Sequence, residues 1–153
     1  MRAIRFFLAV LAIALLTGLA PGESRAAELK VLSTEAMKAA LQELAPAFEA
    51  ASKHKLVIAY ATDEEVEKQM STDDTIDIAI VTKPRMDKLI RAARLLTPPA
   101  SKVLATGASP DLVYVAGSTF FTEQPVAARA LVEFLTGPEA KKVYEAKGLK
   151  LPS

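Results

Sequence analysis

Four hydroxyl side chains stand where apolar runs give way to helical patterns. Ser33 and Thr34 follow the run at 29–32, Thr62 follows LVIAYA at 56–61, and Thr82 follows IDIAIV at 76–81. A hydroxyl at such a junction has two chemical uses. It can accept a hydrogen bond from a first-turn N–H and cap the helix, or it can help hold an oxyanion against the helix amino end, where unpaired N–H groups favour negative charge. Serine and threonine are ordinary caps, so capping alone accounts for all three junctions, and the sequence leaves both uses open.

Other side chains offer less chemistry. The acidic residues Asp63, Glu64, Glu65, Asp73, Asp74 and Asp77 follow no recognisable ligand spacing and read as a solvated helix face, so no metal site is expected. The first three do place negative charge beside the second junction, where an oxyanion would have to sit, and Lys83 can offset part of it. His54 is the single histidine, in a Lys-His-Lys context that reads as a surface turn. Cysteine is absent, which excludes disulfides, thiolate sites and a lipidated amino-terminal cysteine. With no nucleophile–base pair, phosphate loop or nucleophile elbow, catalysis and a cofactor are not expected.

These residues sit in a chain of 153 residues, about half apolar and a quarter charged, which is ordinary for a globular protein. Residues 1–26 read as a secretory signal peptide: Arg2 and Arg5 form a basic start, 6–16 an apolar run, and Ser24-Arg25-Ala26 a small-x-Ala cleavage pattern. The run is shorter than the roughly 20 residues of a membrane span, so no membrane insertion is expected after cleavage. Removing Arg2, Arg5, Arg25 and Glu23 takes the formal charge from +1 to −1, which leaves no basic excess for nucleic acid. The expected product is one domain over 27–153, free in a bacterial periplasm, with a single modest core.

Along 27–153, strand and helix alternate. The spacing predicts a strand at 29–32 and a helix from Glu35 with Met37, Leu41, Leu44, Phe48 and Ala51 inward and Pro46 kinking or dividing it. A strand covered on both faces is expected at 56–61, and a helix follows, announced by Thr62 and Glu65 as a capping pair. After the strand at 76–81, Lys83-Pro84 opens a helix with Met86, Leu89, Ile90, Ala93 and Leu96 inward. A connection at 97–110 holds an expected strand at 102–105. A strand at 112–116 and helices at 124–135, with Val126, Ala130, Leu131 and Phe134 inward, and 138–147 complete the chain. Such repeated strand–helix units predict an α/β fold with a mainly parallel sheet.

The segments FEAASKHKLVIAY, IDIAIVT and above all LVYVAGSTFFTEQPVAARALVEFLTGPEAKKVYEAKGL resemble the periplasmic molybdate-binding proteins and their relatives, the solute-binding subunits of ABC importers. The resemblance spans most of 27–153. It implies one lobe of a type II periplasmic binding protein, with helices on both faces of the sheet and an antiparallel return strand. The second lobe is expected to be absent, because PASKVLATG resembles the start of the outward crossover, yet by Leu112 the sequence resembles the return strand. In the family's oxyanion site, Ser33 and Thr34 match the hydroxyl-bearing loop after the first strand. Thr62 falls in a loop that normally carries glycine and serine, and Thr82 lies near the third. The implied ligand is a small solute or an oxyanion such as molybdate, and the implied partner an ABC permease. Pairing of two chains as a homodimer would restore a cleft. The alternative is an accessory module that keeps the lobe as a scaffold for protein partners.

Overall fold

Every residue of β3 (Ile78–Thr82) is buried, because it is the middle strand of five in a sheet ordered β2-β1-β3-β5-β4. The computed structural model describes residues 26–152. The expected export signal lies, but for Ala26, outside them. β1 (Glu28–Thr34) pairs in parallel with β2 (Lys55–Ala61) on one side and with β3 on the other. β5 (Val113–Ser118) runs antiparallel to β3, and β4 (Ser101–Thr106) antiparallel to β5. Four strands thus point one way and β5 is the return strand.

Helices cover both faces of this sheet. A 3-10 turn (Glu35–Met37) leads into α1 (Lys38–Ser52), and α2 (Asp63–Thr72), α3 (Lys83–Arg91), α4 (Pro125–Leu135) and α5 (Pro138–Ala146) follow. Alternation along the strands sorts their side chains into two cores. On one face Leu29, Val31, Ile78, Ile80 and Tyr114 pack beneath α1, α4 and α5, against Leu41, Leu44, Phe48, Leu131 and Tyr144. On the other, Leu32, Ala79, Val81 and Val115 meet Val66 and Met70 of α2 and Met86 and Leu89 of α3.

Several expectations are corrected. Pro46 does not divide α1; it is exposed, so water can serve the carbonyl it leaves unpaired. β2 is an edge strand whose Lys55, Val57 and Ala59 are exposed, Val57 at 50%. α3 ends at Arg91, and Ala93, expected inward, is exposed at φ 55°. Val126 is 79% exposed: with Pro125 at the first turn, α4 turns Ala127, Ala128, Leu131 and Leu135 to the core instead. His54 is no surface turn; it is 8% exposed and its Nδ1 accepts the Ala27 N–H at 3.0 Å. Asp77 leaves the proposed solvated face, being buried at the start of β3, where it accepts the Lys30 N–H at 2.9 Å and the Thr122 hydroxyl at 2.6 Å.

Two local devices fasten the helices. Tyr144 is fully buried, its hydroxyl donates to the Leu135 carbonyl at 2.8 Å, and burial raises its phenol pKa strongly. Thr62 and Glu65 form a complete capping box: Thr62 Oγ1 accepts the Glu65 N–H at 3.3 Å, and Glu65 Oε2 accepts the Thr62 N–H at 3.0 Å. Those bonds from Thr62, backbone first and hydroxyl second, hold the Glu65 carboxyl below its usual range.

Tyr144→Phe is expected to lower unfolding free energy in urea by about 1–3 kcal/mol, because it leaves a buried carbonyl without its donor. Thr62→Ala should cost about 1 kcal/mol and Thr62→Ser almost nothing. The Glu65 contribution is fully present above the ordinary carboxylate pKa and is lost as pH falls through the lowered folded-state value. The melting difference between wild type and Glu65→Ala should therefore be present at neutral pH and disappear in acid.

Candidate functional site

The candidate site lies where β1, β2 and β3 end, because each strand there hands the chain to a helix whose amino end faces the same edge. In open α/β sheets this edge collects unpaired N–H groups and is where ligands bind. β4 ends on the same edge, and the connection from β4 to β5 is a short turn at 107–112, closed by the Gly107 N–H donating to the Leu112 carbonyl at 2.7 Å. No second lobe is inserted between these strands.

The four hydroxyls reach this edge but are used differently. Ser33 is fully buried, beside Tyr60 of β2 in the register, and its hydroxyl donates to the Thr34 carbonyl at 3.1 Å. Thr34 makes no side-chain cap to the turn that follows, so the first N–H groups of the Glu35–Met37 turn and of α1 carry no side-chain partner. Thr62 is exposed and committed to the capping box. Thr82 does not cap α3 either; its hydroxyl donates 2.7 Å to Oδ2 of Asp63. The structure therefore brings Ser33, Thr34 and Thr82 to neighbouring strand ends and leaves Thr62 at the outer margin.

Asp63, which the sequence offered only as part of an acidic loop, has a particular place here. It is the first residue of α2, half-buried, and its second oxygen, Oδ1, is buried without a hydrogen-bond partner. Its carboxylate thus meets the end of β3 on the edge where β1 also ends. Tyr114 stands beside Thr82 in the β3–β5 register, and its phenol is pushed up by burial and then by the charge of Asp63. The sequence showed the negative charge of 63–65, but only the strand order shows where one of those carboxylates goes.

The nearby cations pair with other carboxylates, and Arg85, whose guanidinium pKa is held up first by Glu67, also feels the charge of Asp63. Lys83 pairs with Asp87 at 3.0 Å rather than with the acidic loop, and Arg85 pairs with Glu67 and, at 3.8 Å, with Glu64. Lys38 lies 5.6 Å from the centre of the Tyr60 ring, at the opposite side of β1 from Thr82. Among the described residues no cation is within ion-pair distance of Asp63, and no group of three metal-ligating side chains is present. Nor is any helix among them long and apolar enough to cross a membrane.

Comparison with known proteins fits this architecture. The fold is similar to the substrate-binding domain described for a molybdenum ABC transporter of Clostridium difficile, at TM-score 0.75 and 12% identity over 84% of this chain and 100% of that one. It is similar to the periplasmic molybdate-binding protein of Azotobacter vinelandii, at TM-score 0.73 and 12% identity over 82% and 100%. The sulfate-binding protein SubI of Mycobacterium tuberculosis is also similar, at TM-score 0.66 and 7% identity over 80% and 86%. At such identities the likeness concerns the fold. No curated protein matches the sequence. Residues 29–110, more than half of the chain, match the family model of the bacterial extracellular solute-binding proteins, and they include β1 from Leu29 on, β2, β3 and Ser33, Thr34, Thr62, Asp63 and Thr82. The chain belongs to the bacterial extracellular solute-binding protein family.

Proposed function

We propose that this protein is a binding protein and not an enzyme, exported to the periplasm, which holds a small solute at the carboxyl ends of β1, β2 and β3 for an ABC importer. The observation that carries this reading is the pair of helix starts after Thr34 and Thr82, both without a side-chain cap, on the neighbouring strands β1 and β3. Those N–H groups need partners, and a solute seated between them would supply acceptors. Thr34 and Thr82 are the hydroxyls placed to touch it, Ser33 shapes the floor, and Thr62 fixes α2 at the rim. The solute class is that of the fold relatives, which are a molybdate-binding and a sulfate-binding protein.

One lobe holds a solute on one side only. Affinity is therefore expected to be weak for the isolated chain, and pairing of two chains would bury the other side. A second reading, a scaffold for protein partners, has one observation in its favour: Phe120 and Val126 are 65% and 79% exposed.

Thermal unfolding in the presence of oxyanions, neutral organic solutes and amine-bearing solutes tests the binding reading. A solute at tenfold excess over its Kd stabilises by about 1.4 kcal/mol, a rise of roughly 3–6 °C for a domain of this size. Ser33→Ala combined with Thr34→Ala should abolish that rise while the unliganded melt remains cooperative. No rise with any solute would favour the scaffold, and a rise that survives the double change would place the solute elsewhere.

A further inference from the structure

We propose that the outer margin of β2 is an interaction surface for a second copy of this chain, which sets its own β2 antiparallel against it across a two-fold axis and so extends the sheet. The inference does not rest on the binding reading above. It uses the side of the sheet and not the strand-end corner.

The two margins of the sheet are built differently. β4 carries a register shift between Val103 and Ala105, and the backbone of Thr106 is tied in both directions to Lys150 of the tail, so that bulge and tail blunt this edge. β2 has neither device. Its seven residues keep an unbroken register with β1, none is proline, and among the described residues no strand lies beyond it. The stretch 56–61 carries no charge, and Val57 is half exposed. An open, regular, apolar edge is a template for another strand.

Hydrogen bonding fixes where that strand docks. The Lys55 N–H donates to the Ala27 carbonyl on the β1 side at 2.8 Å, so alternation turns the N–H and C=O groups of Leu56, Ile58 and Tyr60 outward. The Leu56 N–H is already taken by Oε1 of Glu49 at 2.7 Å, and that of Thr62 by Oε2 of Glu65 at 3.0 Å. Ile58 and Tyr60 remain open. A two-fold axis at Ala59 sets Ile58 of each copy opposite Tyr60 of the other, which gives every open N–H and C=O of these two residues a partner and brings Val57 against Ala61 of the second copy.

Charge selects the direction and the occupant. Lys53 and Lys55 stand exposed at the start of the margin, Glu64 and Glu65 exposed just beyond its end, and neither lysine has an ion-pair partner among the described residues. Antiparallel pairing carries the lysines of each copy to the acidic end of the other, whereas a parallel copy would set like charges together. On the α1 face, Lys38 above Tyr60 and Glu49 beside Leu56 are exchanged in the same way. The pattern is complementary to itself, which favours a second copy over an unrelated strand. The two strand-end corners then lie at opposite edges of the joined sheet, so this is not the pairing that would cover a solute.

Sedimentation velocity between roughly 10 µM and 1 mM reads the assembly, since a short strand pair with a charged rim is a modest interface. Wild type should pass from monomer to dimer over that range. Val57→Lys, which charges the middle of the margin, and Lys53→Glu combined with Lys55→Glu should each raise the dissociation constant by roughly tenfold or more. Val103→Lys, on the opposite margin, is the control and should dimerise like wild type. Amide exchange of wild type needs no variant to fold: Ile58 and Tyr60 should slow on concentration, while Leu56, held by Glu49, should not change. A wild type that stays monomeric throughout would overturn the proposal. So would a dimer indifferent to Val57→Lys, one lost in Val103→Lys, or one that leaves the exchange of Ile58 and Tyr60 unchanged.

Discussion

The placement of β1 between β2 and β3 is the constraint on which the functional end of this molecule depends. The chain leaves β1 through α1 to reach β2 on one side, then crosses back through α2 on the opposite face to reach β3 on the other. Because parallel strands must be joined by crossovers, every one of these units ends its strand on the same edge and starts its helix there. Hydroxyls about fifty residues apart in sequence, those of Thr34 and Thr82, thereby come to neighbouring strand ends. The same edge brings Asp63 of the second junction against Thr82 of the third.

How the polar groups are spent at that edge follows from local competition. Thr62 can form a full capping box because Glu65 lies three residues on, and it does. Thr82 has no such partner: Pro84 and Arg85 follow it, and its hydroxyl turns to Asp63 instead. Ser33, at the floor, is enclosed by the α1 face of the sheet and satisfies itself on its neighbour's carbonyl. A junction that looks the same in each unit therefore has a different function in each.

This explains what the sequence could and could not disclose. The strands, the return strand and the helix starts were readable because apolar runs, proline at first turns and the Thr62–Glu65 pair are local signals. Those that required knowledge of neighbours were not. LVIAYA is apolar throughout, yet β2 is at the margin of the sheet, since strand order is not encoded in the run itself. Val126 fits an apolar stripe on spacing, but the phase of α4 is set by the alanines and leucines that contact β4 and β5. His54 and Asp77 look like surface charge until Ala27, Lys30 and Thr122 are folded against them. Asp63 belongs to this second group: its charge was evident and its destination was not.

The turn at 107–112 has a consequence of its own. Its two ends meet, with the Gly107 N–H on the Leu112 carbonyl, and the backbone of Thr106 is further tied to Lys150 of the tail by hydrogen bonds at 2.8 Å in both directions. A guest domain whose own termini lie close together could be spliced into such a closed, surface-exposed loop at the modest entropic cost of a longer loop, leaving β4 and β5 paired. Seen in this way, the lobe is a socket: a self-sufficient half whose sheet is complete without the insertion, and whose bend at Gly107 is a natural entry point for a second half.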